Sequence, residues 1–192
     1  MNWIKRVCFL TLFCAAATAG PITFTEIIAN ANGSLDGSAF ASQTVTLVLT
    51  GDTSGIVNSG GGGYELLGAA TVNVSGIGTD TFTDSMEAIE IQPINSAEIG
   101  DVTNNSILLR VTNVGLGSYA LNTSIGPLSG GTVGSTGTSY ATEGGSFEFT
   151  SALNVDHPAS FTASTSSVPE PGTLGLISAG IALLLLQRRN SV

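Results

Sequence analysis

Past residue 19 the sequence contains no cysteine, no lysine and no tryptophan; Cys8, Cys14, Lys5 and Trp3 all fall before it. Disulfides, thiol nucleophiles and cysteine-based zinc sites are therefore excluded from the remainder. A single histidine, His157, leaves little room for imidazole chemistry. Charge is scarce and one-sided: 10% of the 192 residues are charged, and the formal net charge is −9. Residues 20–167 hold thirteen of the fourteen carboxylates but only one of the five basic residues, Arg110. Such a surface repels polyphosphate, which excludes ordinary nucleic-acid binding and electrostatic attachment to anionic lipid. With no covalent staple, apolar burial must hold the chain together, and a 42% hydrophobic content can do so in one domain.

What the first residues do contain is ordered. Lys5 and Arg6 precede the short apolar run Val7–Ala17, and Ala17-Thr18-Ala19 puts small residues at the positions a leader peptidase inspects. This is the three-part pattern of a secretory signal peptide over 1–19, with signal peptidase cutting between Ala19 and Gly20. The run is too short to cross ~30 Å of hydrocarbon at ~1.5 Å per residue.

The middle is rich in Gly, Ser and Thr, set between short β-branched runs, and reads as all-β. In Gln43–Thr50, Val45, Leu47 and Leu49 share one face and Thr44, Thr46 and Thr50 the other. Residues 22–29, 70–74, 87–92, 106–112, 119–121, 146–150 and 159–163 read similarly. Asn32-Gly33, Asp36-Gly37 and Gly51-Asp52 are turn signals, and Gly60–Gly63 a flexible loop. About eight strands at this spacing predict an antiparallel β-sandwich or jelly roll over 20–159. Residues 160–167 read as a Ser/Thr linker.

Candidate sites are weak. His157 has Asp156 beside it, but no Gly-x-Ser-x-Gly elbow exists, and neighbours on a strand point to opposite faces. Gly60-Gly61-Gly62-Gly63-Tyr64-Glu65 resembles one calcium-binding Gly-Gly-x-Gly-x-Asp repeat with Glu for Asp, where a β-roll needs several copies. Calcium is the metal best matched to the oxygen-rich composition, but no cofactor is assigned. Gly115-Leu116-Gly117-Ser118-Tyr119-Ala120 fits Gly-x-Gly-x-x-Ala nominally, in a β- and turn-like setting that cannot open a helix. Asp84, Glu87 and Glu90 could pair for glycoside hydrolysis, but read as a solvated acidic edge. No catalytic residue and no metal ligand is assigned, and the chain is read as not an enzyme.

The far end carries a second ordered signal. Val168-Pro169-Glu170-Pro171-Gly172 cannot be helix interior or central strand, so it is an extended segment a protease could bind. Residues 172–187 form an apolar helix candidate just long enough to span a membrane, closed by Arg188 and Arg189. Basic residues stay cytoplasmic, so these two arginines orient the preceding chain outward. A Pro-Glu-Pro motif, a short helix and a terminal arginine pair, in that order, resemble the PEP-CTERM sorting signal of Gram-negative bacteria, here over 168–190. The resemblance implies recognition and cleavage by the integral-membrane enzyme exosortase, a transient inner-membrane tether, and a place at the cell surface or in an extracellular, biofilm-type matrix with exopolysaccharide as a candidate partner. Tyr119–Gly130 and Thr142–Phe149 are also similar to stretches recurring in such ectodomains. The expectation is thus an exported, sorted surface protein; the alternative is a secreted carbohydrate-binding module, with or without weak calcium dependence.

Overall fold

The computed structural model describes residues 19–153 and 157–166. Twelve strands form one sheet: β1 (Pro21–Leu35), β2 (Ser38–Asp52), β3 (Val57–Gly60), β4 (Gly63–Val74), β5 (Gly78–Thr81), β6 (Met86–Ile91), β7 (Ser96–Asp101), β8 (Ser106–Thr112), β9 (Ile125–Val133), β10 (Tyr140–Ala141), β11 (Ser146–Phe149) and β12 (Ala159–Thr165). Eight of them close an antiparallel barrel in the order β1-β2-β4-β6-β7-β8-β9-β12, with β12 returning to β1. The all-β expectation holds, but the sandwich or jelly roll is replaced by a barrel. The physical reason lies in β1, which pairs with β2 on one side and β12 on the other, so neither edge is left open.

Asn30, at φ 57°, sits where the β1–β2 register shifts, and the strand bends there. Its second half then takes β11 as a partner in place of β12. A smaller circuit results at this end, running β1-β2-β4-β5-β10-β11 and back to β1. The β5–β10 link is a single bridge, Phe82 to Thr142, flanked by the Thr83 amide on the Ala141 carbonyl and the Glu143 amide on the Thr81 carbonyl. Gly33 is required at the crossing, because a Cβ there would run into the Glu148 carbonyl and the Phe40 ring.

Period-two alternation decides what fills the barrel. Ile22, Phe24, Glu26 and Ile28 of β1 point inward with Leu47 and Leu49 of β2, Met86 and Ala88 of β6, Ile99 of β7 and Phe161 of β12, all buried. An eight-strand barrel has an interior just wide enough for such side chains to fill. The smaller circuit has an aromatic core: Phe40, Phe82, Tyr140, Phe147 and Phe149, with Phe147 and Phe149 ring centroids 4.8 Å apart at 83°. Each fully buried phenylalanine contributes ~1.5–3 kcal/mol of apolar transfer.

Several local expectations are corrected. The Ser/Thr linker is occupied by β12, in which Ala159, Phe161 and Ala163 alternate inward. Residues 119–121 are not a strand; they belong to the 113–124 loop, which opens with the 3-10 turn Val114–Leu116 and buries Leu116, Tyr119 and Leu121. Tyr119 meets the Phe161 ring at 6.1 Å, so this loop stoppers one barrel end. Asn32-Gly33 and Gly51-Asp52 lie inside strands and do not turn, whereas Asp36-Gly37 turns as expected. Phe147 and Phe149 of β11 are wholly buried and alternate with the half-buried Ser146 and Glu148. Residues 1–18 of the signal segment 1–19, and the whole sorting segment 168–190 with its helix candidate 172–187, lie outside the described residues.

Candidate functional site

The two ends of the barrel differ in chemistry. At one end the chain both enters and leaves. The Gly20 carbonyl accepts from the Thr53 amide at 3.0 Å, and the Ser166 amide donates to the Pro21 carbonyl at 3.1 Å. Round the same rim, the Gln92 amide bonds the Gly62 carbonyl, the Asn113 amide bonds the Asn95 carbonyl, and Ser124 Oγ lies 3.1 Å from Thr165 Oγ1. The rim loops carry the exposed aliphatics Val57, Ile94 and Val114 and little charge beyond Asp52.

The opposite end is held by carboxylates. Thr142 Oγ1 donates to Asp36 Oδ1 at 2.7 Å, the Gly144 amide to Asp80 Oδ2 at 2.7 Å, and the Ala141 amide to Asp84 Oδ2 at 2.8 Å. Three aspartates from three different parts of the chain thus latch the β10–β11 hairpin. The Gly144 and Thr81 amides, with smaller help from Thr142 and Asp36, hold the Asp80 carboxyl below its usual range.

A groove of about 470 Å³ runs along the outer face of β4 and β6, starting from the 3-10 turn Thr53–Gly55 at the chain-bearing end. Leu66 floors it; Val57, Leu67 and Val102 wall it; Asp52, Glu65 and Glu87 supply its charge. Asp52 caps the turn, accepting from the Ser54 amide and hydroxyl, and these bonds hold its carboxyl below the usual range. Glu87 is pushed upward by burial first, then by the like charges of Glu65, Glu98 and Asp101. The one described arginine, Arg110, is engaged by Glu98, leaving these three acids without it.

Inside the barrel lie two carboxyls that sequence reading missed as a feature. Neither Glu26 nor Glu90 has a hydrogen-bond partner for either oxygen among the described residues, and both are fully buried. Burial, and then the charge of Glu98, push Glu26 well up; the Ile99 amide lies near enough to oppose this weakly without forming a bond of normal geometry. Burial alone raises Glu90 to about 7. The signal for Glu26 was available: it shares the period-two face of Phe24 and Ile28.

The weak candidates do not assemble. Glu87 faces out and Glu90 in, and Asp84 is spent on the Ala141 amide, so the acidic-edge reading fails for Glu90 and no paired-acid geometry forms. Gly60–Gly63 is the turn of the β3–β4 hairpin, and residues 115–120 belong to the barrel-end loop. The His157 carbonyl accepts from Thr132 Oγ1, while Asp156 lies outside the described residues. Among the described residues no group of three or more His, Asp or Glu is placed to hold a metal ion, so the calcium reading gains no support. The aromatics a sugar-stacking platform would need are inside; Tyr64 alone of those described is only half-buried. Of the assigned processing residues, Ala19 is exposed and Gly20 is half-buried beside Thr53, whereas Ala17, Val168, Pro169, Glu170, Pro171, Arg188 and Arg189 lie outside the described residues.

Comparison with protein families settles the tail: residues 167–189 match the PEP-CTERM protein-sorting motif. This chain carries a PEP-CTERM sorting signal. The motif implies export through a membrane-anchored intermediate and processing by exosortase. It begins one residue after Ser166, so the sorting signal hangs directly from the barrel's chain-bearing end. No curated protein and no solved structure matches the chain. No helix among the described residues is long and apolar enough to cross a membrane.

Proposed function

We propose that this is a non-enzymatic protein of the bacterial cell surface or extracellular matrix, delivered there as a finished barrel. Signal peptidase removes residues 1–19, and residues 172–187 park the chain in the inner membrane with Arg188 and Arg189 on the cytoplasmic side. Exosortase then cuts near Pro169-Glu170-Pro171, freeing or transferring the barrel. The observation that carries this reading is the sorting motif at 167–189, joined without a spacer to the last barrel strand. Two prolines flanking Glu170 bar the motif from a helix interior or a central strand, the chemistry of a peptide that a membrane enzyme could cleave. The acidic exterior suits release, because it is repelled by anionic headgroups once the anchor is gone.

Replacing both prolines (Pro169→Ala with Pro171→Ala) tests it. The full-length chain should then accumulate uncut in the membrane fraction, while wild type is shortened. Wild-type-like shortening of the double variant would contradict the reading.

A further inference from the structure

Cleavage next to a folded domain brings the cutting enzyme against that domain. Residues 167–171 are five, and even fully extended they reach about 17 Å at ~3.3 Å each. Ser166 is bonded to Pro21, which faces Asp52 across the β1–β2 pair, so the groove's rim lies about two strand spacings, ~10 Å, from the point of exit. An enzyme tens of ångströms across, holding Pro169–Pro171, must lie against this end of the barrel.

We propose that the groove beside that end is a docking site for the processing enzyme, which meets it with apolar and basic side chains. The inference rests on the sorting function proposed above and adds a second recognition surface to the Pro-Glu-Pro peptide. Two features of the groove identify the partner's chemistry. Its walls offer aliphatic surface to a partner, with Leu67 60%, Val57 59% and Val102 42% exposed. Its charges are Asp52, Glu65 and Glu87, and Arg110, the described arginine, is committed to Glu98. A cation arriving here would relieve the crowding of Glu65 and Glu87, which sit on adjacent strands, Leu67 being the cross-strand partner of Glu87. The same carboxylates argue against an anionic lipid surface as the occupant. Docking charges of this kind act mainly on the rate of productive encounter.

The test uses the full-length chain in a host that contains exosortase, following the ratio of uncut to cut chain by intact mass after a pulse of synthesis. Two separate groove variants, Leu67→Ser and Glu65→Lys, guard against loss of folding, and their urea midpoints are compared with wild type. Glu143→Lys, exposed on the latched hairpin at the far end, controls for net charge. Each groove variant should slow cutting by roughly tenfold at an unchanged midpoint, with Glu143→Lys as fast as wild type. Equal rates for wild type and both groove variants would overturn the docking site alone. Equal slowing by Glu143→Lys would overturn it in favour of a net-charge effect. A change only in how much uncut chain pellets with membranes would make lipid the occupant and overturn it as well. If wild type itself is never cut, the sorting function fails, and the docking site falls with it.

Discussion

The main barrel and the smaller circuit at its latched end solve the same burial problem in opposite ways. The small circuit is closed by aromatic packing, and its polar groups are matched: Asp36, Asp80 and Asp84 each accept a hydrogen bond from the 141–144 segment. The main barrel is larger, and it tolerates Glu26 and Glu90 inside with no hydrogen-bond partner for either carboxyl among the described residues. The difference teaches where stability is concentrated and where it is given up. The satisfied rim of aspartates stabilises its hairpin, and Asp80's share of it weakens in acid, whereas an unsatisfied interior carboxyl costs stability as soon as it must ionise.

The comparison breaks first at the aromatics. Phe147 contacts Phe40, Phe82 and Phe149, and Phe147→Ala should cost ~3–5 kcal/mol, read from urea unfolding. A loss under ~1 kcal/mol would show that the small circuit contributes little to the fold. Next comes the interior: Glu26→Leu should stabilise the barrel by roughly 1–4 kcal/mol, since an apolar residue replaces an unmatched carboxyl. A destabilised Glu26→Leu barrel would mean that Glu26 has a partner in solution.

The pH dependence separates the two regions by sign. Glu26 and Glu90 have raised pKa values in the fold, so the folded state binds protons that the unfolded chain has released. Their favourable contribution is complete below the ordinary glutamate range and is lost as pH rises through their folded values, about 7 for Glu90. Asp80 has a lowered pKa, so its contribution is present above the ordinary aspartate range and is lost as pH falls through its folded value. Thermal melts should therefore fall between pH 5 and 7 for wild type, and less steeply for Glu90→Gln. The smallest expected effect is local: Asp84→Asn should speed hydrogen exchange at the Ala141 amide while leaving global unfolding within about 1 kcal/mol. Unchanged exchange there would remove the latch from the account.

Much of the strand pattern could be read directly. Val45, Leu47 and Leu49 alternate with threonines, and Ser106–Thr112 is apolar enough to stand out; both are strands where expected. Ser96–Asp101 hides because Ile99 is its one large apolar residue, yet all six of its residues are buried between β6 and β8. Residues 159–163 read as a strand and belong to β12, whose last residues, Ser164 and Thr165, hide in a Ser/Thr-rich stretch that also reads as linker. Closure could not be read at all, since sandwich and barrel share the same alternation, and the choice rests on whether β12 pairs with β1 across more than a hundred residues. The sorting signal was legible because its chemistry is linear: prolines, an apolar run and arginines need no tertiary partner to be recognised. The groove was not, because Asp52, Glu65, Glu87 and Val102 converge only through strand register.

The central claim, that the barrel is delivered by a tail it then loses, is tested most directly by intact mass of the protein recovered from membranes and medium of producing cells. The account predicts a chain beginning at Gly20 and ending within a few residues of Pro169–Pro171. A recovered chain that still ends at Val192 would contradict it.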